Sequence, residues 1–252
     1  MIRTNKFLDI NTNKEMKAYS PLEKILAWSV HLFTASGLVA GFMAILAINE
    51  SQWREAMLWL LVCLVIDGVD GTFARLFKVK EVLPHMDGKT IDYVIDFATY
   101  AIIPAYFFHQ AELVNEDWAL PCTAIILLVS AIYYGKDGMV SNDMYFVGFP
   151  VLWNMVVFFM FFVFNFSSTG NVILIITFAI LHFVPIKFVY PSQGQRFKKL
   201  TIFNTVIFIA ASVATLYIYP KKNFWLSSSV IATGVYYGLM AIYNTWIEEN
   251  DF

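Results

Sequence analysis

At 252 residues, with 59% hydrophobic and only 14% charged side chains, this chain is far more apolar than a globular domain, where about a quarter of residues carry charge. A formal net charge of −2, with no basic aromatic-rich face, excludes a nucleic-acid binder. Cys63 and Cys122 lie within apolar runs at no metal-ligand spacing and are expected to be buried, inert thiols.

The apolar residues fall into stretches close to the roughly 20 residues that a membrane helix needs. In chain order the predicted spans are 25–48, 55–77, 91–110, 118–135, 145–166, 171–190, 201–219 and 224–246. Lipid offers backbone groups no partners, so a spanning chain is helical or a closed barrel. Runs such as MVVFFMFFVF (155–164) do not alternate with period two, which rules out the barrel. The expectation is an all-α integral membrane protein, one bundle over 25–247, with no internal repeat or second domain. Residues 1–24 form a polar N-terminal segment, cytoplasmic or interfacial, with scattered Phe7, Leu8 and Ile10. The first apolar run is too long for a secretory h-region and lacks a small-residue cleavage site, so it should remain as a helix.

Positive charge orients such bundles. With eight spans and the N-terminus inside, all of the 17 basic residues except Arg54, Lys221 and Lys222 fall on the inner side. Both termini are therefore expected in the cytoplasm.

Polar residues inside the spans carry the chemistry. His31, Thr34 and Ser36 sit on the first, although Ser and Thr often bond only their own helix carbonyls. The second and third hold Asp67, Asp70, Asp92 and Asp96, written Asp-x-x-Asp-Gly-x-x-Ala-Arg, twelve residues, then Gly-x-x-x-Asp-x-x-x-Asp. Each carboxylate near the centre of a membrane helix costs roughly 2.5–3.5 kcal/mol, so four cost roughly 10–14 kcal/mol before mutual repulsion. Spacings of three and four put each pair on one helical face. A short basic loop joins the two helices, so they pack antiparallel with the carboxylates converging on a cation. Oxygen-only ligands suit Mg²⁺ or Mn²⁺, and four carboxylates can hold two ions in the manner that assists in-line phosphoryl displacement. Gly71, Ala74 and Gly88 remove bulk beside them, and Arg75 offers a planar fork for phosphate or a nucleobase. Farther on, Tyr100 lies one turn beyond Asp96, while Trp153 and Asn154 sit on the fifth span. His182, on the sixth, reads as a hydrogen-bonded core histidine. Lys187, Arg196, Lys198 and Lys199 suit anionic headgroups, though topology alone accounts for them.

The residues Asp67, Asp70, Gly71, Ala74, Arg75, Gly88, Asp92 and Asp96, with an apolar residue before the first, closely resemble the signature of the CDP-alcohol phosphotransferases. Within that family the longer loop with Lys-Glu-Val-Leu-Pro at 80–84, VHLFTASG (30–37), GFPVLWN (148–154) and FVPIKFVYP (183–191) look like the bacterial phosphatidylcholine synthase branch. The resemblance covers most of the chain. The gap between Arg75 and Gly88 is longer than the family's usual one, so a hydroxyl residue that contacts substrate there has no counterpart assigned here.

The resemblance implies transfer of a phosphatidyl group from CDP-diacylglycerol to choline with release of CMP, in the bacterial inner membrane and facing the cytoplasm. It implies that Asp67, Asp70 and Asp92 ligate two Mn²⁺ or Mg²⁺ ions, with Asp96 touching the second and serving as general base. Gly71, Ala74, Arg75 and Gly88 would contact the CDP-lipid, and a homodimer is implied. A choline ammonium prefers aromatic faces, for which Tyr100 and Trp153 are the expected partners. Another acceptor (serine, a glycerol or inositol phosphate) is the nearest alternative within the same chemistry. A cation-coupled transporter would instead show acidic residues on further helices, broken helices or an inverted repeat.

Overall fold

The computed structural model describes residues 19–191 and 197–247. The lead-in before Tyr19, including Arg3, Lys6, Lys14 and Lys17, and likewise Arg196, lie outside the described residues. Six helices are long and apolar enough to cross a membrane among those residues: α1 (Pro21–Asn49), α2 (Trp53–Leu76), α4 (Gly88–Gln110), α5 (Glu116–Tyr134), α8 (Lys198–Ile218) and α9 (Phe224–Trp246). A single-turn α3 (Val79–Val82) lies in the loop between α2 and α4. Two shorter apolar helices, α6 (Trp153–Val163) and α7 (Ser168–Leu181), complete the bundle. The chain is an all-α integral membrane protein.

Local sequence sets the helix ends. Ser20 caps α1 in a reciprocal capping box with Glu23, and Pro21 follows at the first helical position, where its missing N–H costs nothing. Asn223 caps α9 by accepting from the amides of Trp225 and Leu226. The helices are apolar around most of their circumference, and the outward faces, with Leu32, Val39, Phe203 and Val206 exposed, suit lipid.

Helices gain no hydrophobic drive from meeting one another in lipid, so close packing by small residues matters more. Gly37 and Gly41 of α1 supply it. A Cβ at Gly37 would come 3.1 Å from Ile95 Cγ2, and one at Gly41 would come 2.7 Å from Ile103 Cδ1. These two bare positions let α4 approach α1, while α2 packs along α1 on another side.

The predicted spans 145–166 and 171–190 turn out to be only part helix. α6 has 11 residues and α7 has 14, so at 1.5 Å per residue they reach about 16 and 21 Å, short of the roughly 30 Å hydrocarbon core. Their joining turn meets the loops at one end of the bundle, where Asn171 Nδ2 donates to the Leu113 carbonyl at 2.6 Å and Lys222 Nζ to the Val163 carbonyl at 3.5 Å. At the other end extended chain replaces helix. β1 (Tyr145–Val147) pairs antiparallel with β2 (Lys187–Val189), in register Tyr145 with Val189 and Val147 with Lys187. Gly148 follows at φ +93°, its amide bonded to the Ile186 carbonyl at 2.9 Å. Non-helical backbone survives at such depth only when protein buries it, and Tyr145, Gly148 and Val151 are buried.

Candidate active site

The four aspartates meet in a cleft between α1, α2 and α4. From α1 come Thr34 and Gly37, from α2 Cys63, Asp67 and Asp70, and from α4 Asp92, Asp96 and Thr99. The cleft holds about 210 Å³, its open mouth included. One carboxylate oxygen each from Asp67, Asp70 and Asp92 lie within 4.8 Å of one another, a grouping that can hold a metal ion. Asp96 lines the same cleft, one helical turn beyond Asp92 on α4. The oxygen-only donor set fits a hard divalent cation.

The neighbours orient these groups. Tyr100 Oη donates to Asp67 Oδ2 at 2.7 Å. The Thr34 hydroxyl lines the cleft beside Asp70 and donates to the Val30 carbonyl at 3.2 Å. Immediately after Asp96 the helix widens into a π turn over Phe97–Ile102, with the Ile103 N–H reaching back to the Ala98 carbonyl. Pro104 explains the widening, since it has no N–H to give Tyr100 and the ladder reorganises just before it. Tyr100 lies within this turn.

The remaining signature residues frame the cleft at one end. Arg75 stands exposed on the last turn of α2, donating from Nη2 to Thr72 Oγ1 at 3.1 Å. A Cβ on Gly71 would lie 3.4 Å from Arg75 Nη1. Ala74 packs against the small apolar cluster of Ala27, Val30, Val79 and Val82. Gly88 opens α4, where a Cβ would come 3.1 Å from His31 Cε1. His31 is buried, and its Nε2 has no hydrogen-bond partner among the described residues. Ser36 bonds the Phe33 carbonyl at 2.6 Å and does not line the cleft.

Two aromatic residues singled out from sequence occupy other roles. Tyr100 is 3% exposed and spends its hydroxyl on Asp67, so its ring offers no open face. Trp153 is fully buried in the core, donates from Nε1 to Ser130 Oγ at 2.9 Å, and stacks on His182 with ring centroids 5.3 Å apart. It does not line the cleft. His182 is a core histidine, its Nδ1 2.7 Å from the Phe178 carbonyl. Asn154 is equally buried and its Oδ1 accepts from the Met155 amide. Lys187 pairs with Asp143 at 3.2 Å.

Asp87 was not among the residues singled out. Its carboxylate caps α4, accepting from the Lys89 amide at 3.1 Å, the Thr90 amide at 3.4 Å and the Thr90 hydroxyl at 2.7 Å. The Thr90 hydroxyl and amide hold its carboxyl below the usual range. An Asp directly before Gly-Lys-Thr and an apolar period is an N-cap signal that sequence alone carries.

Comparison with curated proteins gives a consistent result. The chain is 38% identical over 219 residues to the phosphatidylcholine synthase of Rhizobium meliloti, covering 86% of this chain and 89% of that protein. It is 38% identical over 193 residues to the phosphatidylcholine synthase of Borreliella burgdorferi, covering 77% and 82%. With that of Pseudomonas aeruginosa the identity is 34% over 221 residues, covering 86% and 92%. No family model matches.

Proposed function

The chain belongs to the phosphatidylcholine synthase family, and from that premise we propose how its own residues carry out the transfer of a phosphatidyl group from CDP-diacylglycerol to choline. The observation that carries the reading is the convergence of Asp67, Asp70 and Asp92 on one point with Asp96 beside them. Asp67, Asp70 and Asp92 would hold Mn²⁺ or Mg²⁺, and Asp96 would contribute an oxygen if a second ion binds. When bound, the ions neutralise the pyrophosphate and the charge that develops on the leaving CMP.

Gly71, Ala74, Arg75 and Gly88 receive the CDP portion, Arg75 as a paired donor to phosphate and the glycines as bare surface against which it lies. Asp96 takes the proton from the choline hydroxyl. The oxygen attacks the phosphorus that carries the diacylglycerol, forming that P–O bond while the bond to the CMP phosphate breaks. CMP leaves with the electron pair. The aspartates lie toward the end of the bundle that collects most of the basic residues, so the CDP-lipid enters from the cytoplasmic leaflet of a bacterial inner membrane. A homodimer remains part of the proposal.

Among the described residues, no lysine or arginine lines the cleft. This favours a cationic or neutral alcohol over a phosphorylated one. The test is CMP release by purified protein in detergent with CDP-diacylglycerol, Mn²⁺ or Mg²⁺, and choline, with serine and glycerol phosphate as alternatives. Choline- and metal-dependent release is expected. Release with serine alone would overturn the acceptor and keep the chemistry. No release with any acceptor would overturn the whole reading and return attention to cation transport.

A further inference from the structure

Beside the cleft, outside the residues that line it directly, α4 turns an aromatic face toward α5. Tyr93 and Phe97 each directly follow a catalytic-cleft aspartate, Asp92 and Asp96, and share a face at a spacing of four. Tyr134, the last residue of α5, completes the group from across the interhelical space. Its ring centroid lies 5.7 Å from that of Tyr93 and 6.0 Å from that of Phe97, at interplanar angles of 59° and 89°. Tyr134 is also within electrostatic range of Asp96, then Asp67 and Asp92.

Unlike Tyr100 and Trp153, all three rings are only half-buried. One of them already meets a cation: Lys89 Nζ stands 5.2 Å from the centroid of the Tyr93 ring. The edge-on and tilted arrangement leaves ring faces at an angle to each other, which gives a rounded ammonium more than one face to lie against. Arg75, at the cleft end of α2, is held by Thr72, while Lys89 stands over one face of Tyr93 and, among the described residues, leaves Phe97 and Tyr134 as the rings without a lysine on them.

We propose that Tyr134, Tyr93 and Phe97 form the acceptor pocket, holding a quaternary ammonium against their faces while its hydroxyl reaches Asp96. The inference rests on the phosphatidyl-transfer reading above and adds the residues that choose the alcohol. An ethylene unit separates choline's hydroxyl from its ammonium, and i to i+1 neighbours on α4 offer a base and an aromatic face at adjoining positions. Ring faces attract a quaternary ammonium, which has no hydrogen-bond donor to satisfy, and give no such gain to a neutral alcohol of the same shape. Tyr134 and Tyr93 are specificity residues under this assignment, and Asp96 alone handles the proton.

The experiment measures kcat and KM for choline and for its neutral isostere 3,3-dimethylbutan-1-ol, by CMP release from full-length protein in detergent. Wild type is compared with Tyr134→Leu, Tyr93→Leu and Tyr134→Phe. Removing a ring is expected to raise the choline KM roughly two- to thirtyfold, the range such contacts supply, while the KM for the isostere and for CDP-diacylglycerol stays within about twofold. Tyr134→Phe keeps the ring and is expected to keep choline preference. Equal losses for both alcohols, or an unchanged choline KM in both leucine variants, would overturn the pocket. If one leucine variant fails to fold, the other decides by the same two readouts. Wild type that releases no CMP with choline would instead sink the underlying reading, an outcome distinct from a working enzyme whose preference the rings do not set.

Discussion

The two groups nearest Asp67 in role, Tyr100 and Asp96, separate positioning from chemistry. Tyr100 donates to Asp67, and Asp96 lines the same cleft. Tyr100→Phe removes a charge-assisted bond of about 1.5–3 kcal/mol inside the cleft, and the expected outcome is a kcat/KM lower by roughly 10- to 100-fold with a raised metal requirement. Titrating Mn²⁺ into the variant checks it, since added metal recovers part of the loss if the bond only orients Asp67. Asp96→Asn is expected to behave differently. It removes the base, so turnover falls to background at any metal concentration while CDP-diacylglycerol still binds. Turnover of a few per cent of wild type would assign the proton to another group. The four aspartates were legible because carboxylates at membrane depth have no bland explanation, and their spacing alone gave the shared faces. Tyr100 could be placed near them, but not its role: whether an aromatic presents a ring or a hydroxyl depends on local helix geometry, and the π turn it sits in had no signal beyond Pro104, eight residues beyond Asp96.

Among the elements, α4 depends on how it starts. Asp87 holds three donors of its first turn, and its folded carboxyl titrates below the ordinary value. A depressed carboxyl stabilises above the unfolded value of about 3.9 and loses that contribution as pH falls through the folded value. Melting temperature is therefore expected to drop on acidification, and Asp87→Asn, which retains a neutral cap, should flatten that part of the profile. The β1–β2 end depends on Gly148. A Cβ there would stand 2.1 Å from the His182 carbonyl oxygen, at a φ of +93° that side chains rarely adopt. Gly148→Ala is expected to cost roughly 2–6 kcal/mol from backbone strain and overpacking, read as lost thermal stability in detergent. This end is also where hydropathy misled. Residues 145–152 and 183–190 are apolar enough for lipid, yet transfer energy reports depth and not conformation. Gly148, Pro150 and Pro185 were the signals that the backbone leaves the helix there.

Across the whole molecule, six full-length helices form a frame into which α6 and α7 fit as a partial pair. The extended strands β1 and β2 stand in sequence before α6 and after α7 and pair with each other. Nearly all of α6 is buried, and its aromatic residues contact α4, α8 and each other. Assembly order follows from this shortness. A ribosome feeding the chain into the bilayer delivers α6 and α7 before α8 exists, and neither can hold itself across the membrane alone. Residues 153–181 should stay uncommitted until α8 and α9 emerge and close around them. A topology reporter attached at residue 191 is then expected to scatter between the two sides of the membrane, whereas one attached after residue 247 reports a single side. A single-sided result at 191 would mean that the half-length pair seats itself without its later neighbours.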